Sequence, residues 1–303
     1  MISGKWLIYI WWLVVEVISF NNIINESITY HLSLTTYHLS LKHMHNPTIS
    51  TNNYYGTYTL FKKEVLRFLK VYHQTLFSPV VNALLLLAIF ALSVGDSHQV
   101  GEIPFKEFMA AGLIMMVAMQ NAFANSSSSF TMGKVMGHII DYLIPPIGAS
   151  GMLLAFTAAA ILRGLLVGLI ALAAIAIFVP ISFHHIPYAL FCIIFATMFL
   201  GLLGMLCGIL SDNFDQMSAI TSYFITPLTF LSGTFYSTNN LPEFWQKIAH
   251  FNPFFYMIDG FRYGLTGHND GSIFIGAIVI LACNIIFLTI VHHLLKTGYR
   301  IKN

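Results

Sequence analysis

The sequence predicts an all-α integral membrane protein, with six transmembrane helices, a cytoplasmic amphipathic N-terminal helix, and short re-entrant or interfacial helices between the fifth and sixth spans. Three observations predict it. Of the 303 residues, 57% are apolar and 9% charged, where a soluble globular domain carries about 25% charge. Mean hydropathy is +0.74. The apolar residues fall in blocks of about 20, the helix length that crosses a hydrocarbon core of about 30 Å.

Residues 1–55 differ from the rest and are expected to form an atypical, poorly ordered extension. Trp6 to Phe20 is apolar but only 15 residues long and carries Glu16, short for a span, and no small-residue cleavage site follows it. A tandem heptapeptide then runs Tyr30-His31-Leu32-Ser33-Leu34-Thr35-Thr36 and Tyr37-His38-Leu39-Ser40-Leu41. Two copies fall short of the three or so that a solenoid needs. Two readings stand for this stretch: a leader before a natural start near Met44, or an extra interfacial or spanning helix.

Residues 56–303 read as one membrane domain. From Leu60 to Leu76, Phe61, Val65, Phe68, Leu69, Tyr72 and Leu76 recur at helical spacing, with Lys62, Lys63, Arg67 and Lys70 on the other side. Such a helix lies in the headgroup region, and its cations favour the cytoplasmic side. Six spans follow, at about 76–94, 108–124, 152–179, 188–209, 217–235 and 273–295. Counted from an inside start, the loops with Lys134 and with 211–216 are cytoplasmic. So is the tail with Lys296, Arg300 and Lys302, which puts both termini inside. Lys247 and Arg262 fall on the external side and need their own explanation.

Three segments stand out as carriers of function. Asp141-Tyr142-Leu143-Ile144-Pro145-Pro146 is a short amphipathic turn ended by two prolines. Either it offers Tyr142 and Leu143 to another protein while Asp141 faces water, or it is an ordinary interfacial helix. In the third span, Arg163 precedes Gly164 and Gly168. An arginine at mid-membrane costs at least about 2.5 kcal/mol, so it snorkels or pairs inside the protein, and the two glycines let a neighbouring helix approach. The densest run is Thr226-Pro227 through Gly233 to Tyr236, followed by Leu241-Pro242, Trp245, Asn252-Pro253, Tyr256 and Arg262. Pro227 interrupts the fifth helix, and the apolar pieces at 241–251 and 254–265 are too short to cross. Substrate exit and simple sealing of the outer surface both fit that pattern.

In these segments the chain resembles the ABC type-2 exporter permeases, the membrane subunits of polysaccharide, lipid-linked and drug exporters. The resemblance runs from about Tyr55 to Arg300. It rests on the basic helix, on Asp141, Leu143 and Pro146, on the Arg163-Gly164 step, and above all on Thr226 to Tyr236 with Asn252, Pro253, Tyr256 and Arg262. The loop carries Ile140 where a second acid is usual in the family. The resemblance implies a homodimer in a bacterial inner membrane, each subunit seated on a separate nucleotide-binding ATPase that holds ATP and Mg. The chain itself would bind no cofactor. Asp141, Tyr142, Leu143, Pro146, Lys62 and Arg67 would contact the ATPase. Arg163, Gly164, Thr226, Pro227, Gly233, Tyr236, Asn252, Pro253, Tyr256 and Arg262 would build or flank the path.

Several classes are disfavoured by the residues themselves. A charge of +2 with no basic and aromatic interleaving argues against a nucleic-acid partner. No G-x-x-x-x-G-K-[ST] occurs, since Gly133-Lys134 is followed by Val135. Leu231-Ser232-Gly233 superficially resembles an ATPase signature but lies in an apolar span. An intramembrane enzyme would show His-Glu-x-x-His or Gly-x-Ser-x-Gly, and neither occurs. His184-His185 and His292-His293 are adjacent in sequence, so on a helix their rings diverge by about 100° and no metal site is expected. Cys192, Cys207 and Cys283 lie in apolar blocks without ligand spacing. A proton-coupled transporter is the remaining alternative, and it needs carboxylates within spans, where they are almost absent. The scattered polar groups Asn82, Gln120, Asn121, Thr221 and Thr226 suit an amphiphilic or lipid-linked substrate in an apolar seam, or serve as glue between helices.

Overall fold

A computed structural model describes residues 53–94, 99–101, 103–143, 145 and 147–300. The extension before residue 53, with its heptapeptide repeat, and Pro146 lie outside the described residues. Helix α1 (Tyr54–Lys70) leads through a π-helical turn (His73–Phe77) into α2 (Ser78–Val94). A two-residue hairpin, β1 (Gln99–Val100) with β2 (Ile103–Pro104), pairs Val100 with Ile103. Then come α3 (Phe105–Val135), the short α4 (Ile139–Leu143), α5 (Ala149–Ile175) and α6 (Ile186–Leu210). Among the described residues the fold is all-α apart from that hairpin.

Among the described residues, five helical stretches are long and apolar enough to cross a membrane: His73–Ala91, Phe105–Val135, Ala149–Ile175, Ile186–Leu210 and Ile273–Thr297. The last is α11. The expected fifth span at 217–235 takes another form. It is a broken run of α7 (Phe214–Ile220), a π-helical turn (Thr221–Ile225) and α8 (Thr226–Phe230). Pro227 has no N–H to give the preceding turn, and a π-turn directly before it absorbs the mismatch. Gly233, at φ +75°, then turns the chain out of the helix, so no helix continues to 235. The short pieces beyond are α9 (Glu243–Phe251) and α10 (Pro253–Thr266).

Helix α3 is the axis of the bundle, buried along nearly its whole length between α5 and α6. It continues through Asn125–Ser129, which the sequence pattern assigns to a loop. Serine and asparagine are poor helix formers by a few tenths of a kcal/mol each, and tertiary contacts override that here. Small residues set the spacing. A Cβ on Gly201 would stand 2.7 Å from Ala160 Cβ, and one on Gly208 2.7 Å from Phe130 Cβ. Close backbone approach of this kind is how helices gain contact where lipid removes the hydrophobic drive. Helices α2 and α11 lie outside, with Val81, Leu85 and Ile89, and Ile278 and Ile285, exposed, a surface suited to acyl chains. The last carbonyls of α6 are capped by cations: the Lys134 ammonium donates to Ile209 O and to Ser211 O, and Arg300 Nη1 to Leu210 O at 3.2 Å.

Candidate functional site: two polar clusters on one central helix

The first cluster gathers α1, α4 and the C-terminal half of α3. Asn53 caps α1 by accepting from Gly56 N at 2.9 Å. The row Leu60, Glu64 and Phe68 is buried, while Lys62 is exposed. Arg67, expected at the ATPase surface, turns inward instead. It pairs with Glu64 at 3.0 Å and donates to Asn125 O at 2.8 Å and to Ser128 Oγ at 3.2 Å. Tyr142 likewise presents no knob. It is 6% exposed, meets Phe156 edge-on at 5.5 Å, and lies beneath the Lys63 ammonium at 4.3 Å. Burial pushes the Tyr142 hydroxyl up to about 12 and holds the Lys63 ammonium below the usual lysine range. The outward groups of α4 are Asp141, 3.5 Å from His138, and Ile140, 57% exposed. Leu143 is the last residue of this helix.

Between the clusters, Arg163 does not snorkel. It is buried and donates from Nη2 to Asn121 Oδ1 at 3.1 Å. Gly164 beside it lets α5 meet α6 and α3. Two supposed lining groups are also engaged within the bundle: Asn121 serves Arg163, and Gln120 Nε2 donates to Thr229 Oγ1 at 3.2 Å. Thr221 Oγ1 donates to Met217 O at 2.8 Å, while Asn82 remains exposed.

The second cluster surrounds Arg262, near the start of α3. Arg262 is fully buried. Its Nη2 donates to Gly233 O at 2.6 Å and its Nε to Phe108 O at 3.3 Å; the guanidinium sits 3.6 Å over the Phe108 ring and 3.6 Å from Asp259. One cation thus joins the turn after α8, the first turn of α3 and α10, a structural role that accounts for a positive charge in this segment. Lys247 is merely an exposed partner of Glu243 at 2.8 Å. Asn252 caps α10 through Phe254 N at 3.1 Å and donates to Leu228 O at 2.8 Å, with Pro253 next in the first turn. Asp259 accepts from the backbone N–H of Asp270 and of Gly271, both at 2.9 Å. Asp270 in turn accepts from Ser237 Oγ and Thr238 N, both at 2.8 Å. Burial alone would raise the Asp270 pKa, but bonds from His268, Ser237 and Thr238 hold it below the usual carboxylate range. Tyr236 lines an apolar groove of about 390 Å³ with Leu231, Leu241, Pro242, Trp245 and Ile248. Tyr256 is half-buried against His250 and Phe255. Thr226 and Pro227 sit on the broken helix, Pro227 exposed.

Sequence reasoning missed Glu64, Asn125, Ser128, Ser129, Asp259 and Asp270. A signal existed for Glu64, which sits four residues from both Leu60 and Phe68 and therefore shares their face. For Asp270 there was none, since apart from the neighbouring His268 its partners Ser237 and Thr238 lie more than thirty positions away.

Long apolar helices around an axial helix, with polar groups consumed in tying helices together, define a helical, multi-span membrane protein. The chain belongs to the ABC-2 type transporter family, whose model matches residues 55–266. It is 33% identical over 249 residues to the inner membrane transport permease YadH of Escherichia coli strain K12, a match covering 81% of this chain and 96% of that one. It is 26% identical over 209 residues to nodulation protein J of Sinorhizobium fredii, covering 67% and 80%. The corresponding protein of Rhizobium leguminosarum bv. trifolii is 29% identical over 194 residues, covering 60% and 71%.

Proposed function

We propose that this chain is the permease of an ATP-driven exporter in a bacterial inner membrane, working as a homodimer on separate ATPase subunits that hold ATP and Mg. Its cargo is an amphiphilic, lipid-linked, polysaccharide or drug-like molecule moved out of the cytoplasm. The observation that carries this is membership of the ABC-2 family in a sequence without a phosphate-binding loop. The end of the bundle with α1 and α4 is the cytoplasmic side in this reading. Lys62, Lys63, Lys70, Lys134, Lys296 and Arg300 belong to that end, as the positive-inside rule requires. Both termini then lie in the cytoplasm, and the exposed rows of α2 and α11 face lipid or a second copy.

Asp141, Ile140 and Lys62 are the groups this end offers to an ATPase, and Leu143 and Pro146 belong to the same proposed docking segment. Arg67 and Tyr142 support the surface from beneath. ATP-driven closure of the partner subunits moves α4 and α1 and shifts the dimer between inward-open and outward-open states. At the other end the broken α7–α8 run, the Tyr236 groove and α10 flank the exit. A proton-coupled mechanism finds little support in Glu64, since Arg67 and Ser129 already occupy both its oxygens.

The docking surface is tested by changing Asp141 and Leu143 together to alanine and measuring how much ATPase co-purifies from membranes. Recovery is expected to fall about tenfold or more, the equivalent of about 1.4 kcal/mol of interface. Unaltered recovery with unaltered transport counts against a contact at this turn.

A further inference from the structure

Glu64 is a carboxylate where an amphipathic helix wants hydrocarbon. It sits at the centre of the row Leu60, Glu64 and Phe68 and has no exposed surface. Both oxygens are used: Oε1 accepts from Ser129 Oγ at 2.9 Å, and Oε2 from Arg67 Nε at 3.1 Å. Arg67 then reaches α3, giving Nη2 to the carbonyl and the side-chain oxygen of Asn125 at 2.8 and 3.2 Å, and Nη1 to Ser128 Oγ at 3.2 Å. One turn of α3 is therefore held by a two-residue fork from α1.

The seam continues inward. One turn along α3 from Asn125, Asn121 accepts from Arg163 of α5 at 3.1 Å, and Phe68 lies 6.0 Å from the same guanidinium. Asn125 Nδ2, Ser126 Oγ and Arg163 Nε are buried here without a hydrogen-bond partner among the described residues. Buried polar atoms are seldom left so. They are donors free to serve a second set of partners, as a seam with two arrangements needs. Stability alone does not account for the fork, because hydrocarbon of similar volume commonly stabilises a buried site as well as an ion pair does. Apolar contacts at Leu60 and Phe68 tolerate sliding, whereas directional bonds from a guanidinium and a carboxylate fix register.

We propose that Glu64 and Arg67 are positioning residues for transport, locking α1 to α3 so that displacement of α1 reaches α3 and, through Asn121 and Arg163, α5. This rests on the reading of the α1 and α4 end as the side that meets the ATPase. The test uses the full chain with its ATPase in nanodiscs. The reporter is Tyr236→Cys, labelled by a membrane-impermeant maleimide without nucleotide and with ATP plus vanadate. In Glu64→Leu the ATPase stays bound and turns over within about twofold of the parent, while the nucleotide-dependent change in labelling falls about tenfold, within the usual range of coupling between sites. Glu64→Gln, which still accepts from Ser129, restores part of it.

An unchanged labelling response in Glu64→Leu makes the fork purely structural and overturns the inference. So does loss of the ATPase from that variant, which would make the fork part of docking and leave the reading of this end standing. Failure of that reading shows separately, as full ATPase recovery after the changes at Asp141 and Leu143. Should Glu64→Leu not accumulate, Arg67→Lys decides. Lysine keeps the charge but cannot hold Glu64, Asn125 and Ser128 at once, so a parental labelling response there overturns the proposal as well.

Discussion

Replacing Arg262 by leucine is expected to cost more than any other single substitution in the chain. The guanidinium is fully buried, bridges three elements and faces Asp259. Removing it leaves the Gly233 and Phe108 carbonyls short of a donor and Asp259 without its cation. Breaking a buried pair from one side costs about 3–5 kcal/mol, a large share of the 5–15 kcal/mol that a typical fold has in hand. Arg262→Lys should lose less, since an ammonium still faces Asp259 but cannot span both carbonyls. Thermal unfolding in detergent, followed by size-exclusion profile, orders the three proteins as parent, lysine, leucine. Combining Arg262→Leu with Asp259→Asn should recover part of the loss, because no unpaired charge then remains. A leucine variant as stable as the parent would remove Arg262 from its place as the tie between α3, α10 and the turn after α8.

Gly164→Val is also expected to be strongly damaging. A Cβ at this position would stand 2.6 Å from Thr197 Cγ2 and 2.9 Å from the Ala118 carbonyl, so α5 has to move away from both α6 and α3. Overpacking costs about 1–3 kcal/mol, and the upper end is expected where a backbone oxygen is one of the obstacles. Gly276→Ala in α11 is the control. Its nearest neighbour would be Tyr256 Cδ1 at 3.5 Å, an ordinary contact, and the gain in helix propensity of about 1 kcal/mol makes it neutral or stabilising. The same melting measurement separates the two. Equal behaviour of the valine and alanine variants would mean that close approach at Gly164 does not hold the bundle.

The pattern of these residues made some of this legible and hid the rest for physical reasons. Long apolar runs disclose helices because lipid demands about 20 apolar residues, so α5, α6 and α11 stand close to where the sequence puts them. Pro227 and Gly233 announce an interruption: the helix passes through Pro227 by way of the π-turn before it and ends ahead of Gly233. What pattern cannot give is the partner of a polar side chain. Arg163 was equally consistent with snorkelling and with an internal bond, and only the position of Asn121 on α3 decides it. Asn125 to Ser129 reads as a loop because its five residues are all polar, yet three of them, Asn125, Ser128 and Ser129, complete the Glu64–Arg67 fork, and α3 stays helical to Val135. Tyr142 reads as a knob because its neighbours are loop-like, but Phe156 and Lys63 reach it from distant sequence.

The two clusters sit on the same helix. Phe108 and Asn125 are seventeen residues apart in sequence, so about 26 Å of continuous α3 separates the Arg262 tie from the Glu64–Arg67 fork. In the proposed mechanism a rod of that length, gripped at one end by α1 and at the other by α10 and the turn after α8, carries work done at one surface to the other.

The central claim is that this chain moves its cargo with energy supplied by a separate ATPase. The direct measurement is ATP hydrolysis and nucleotide-dependent maleimide labelling at Tyr236→Cys in nanodiscs holding the purified chain, alone and with the ATPase recovered from its own membranes. The chain alone is expected to hydrolyse no ATP and to label at one rate with and without ATP; adding the ATPase should produce both hydrolysis and a labelling change. Hydrolysis by the chain alone, or a labelling change that follows a proton gradient with no ATPase present, would contradict the account.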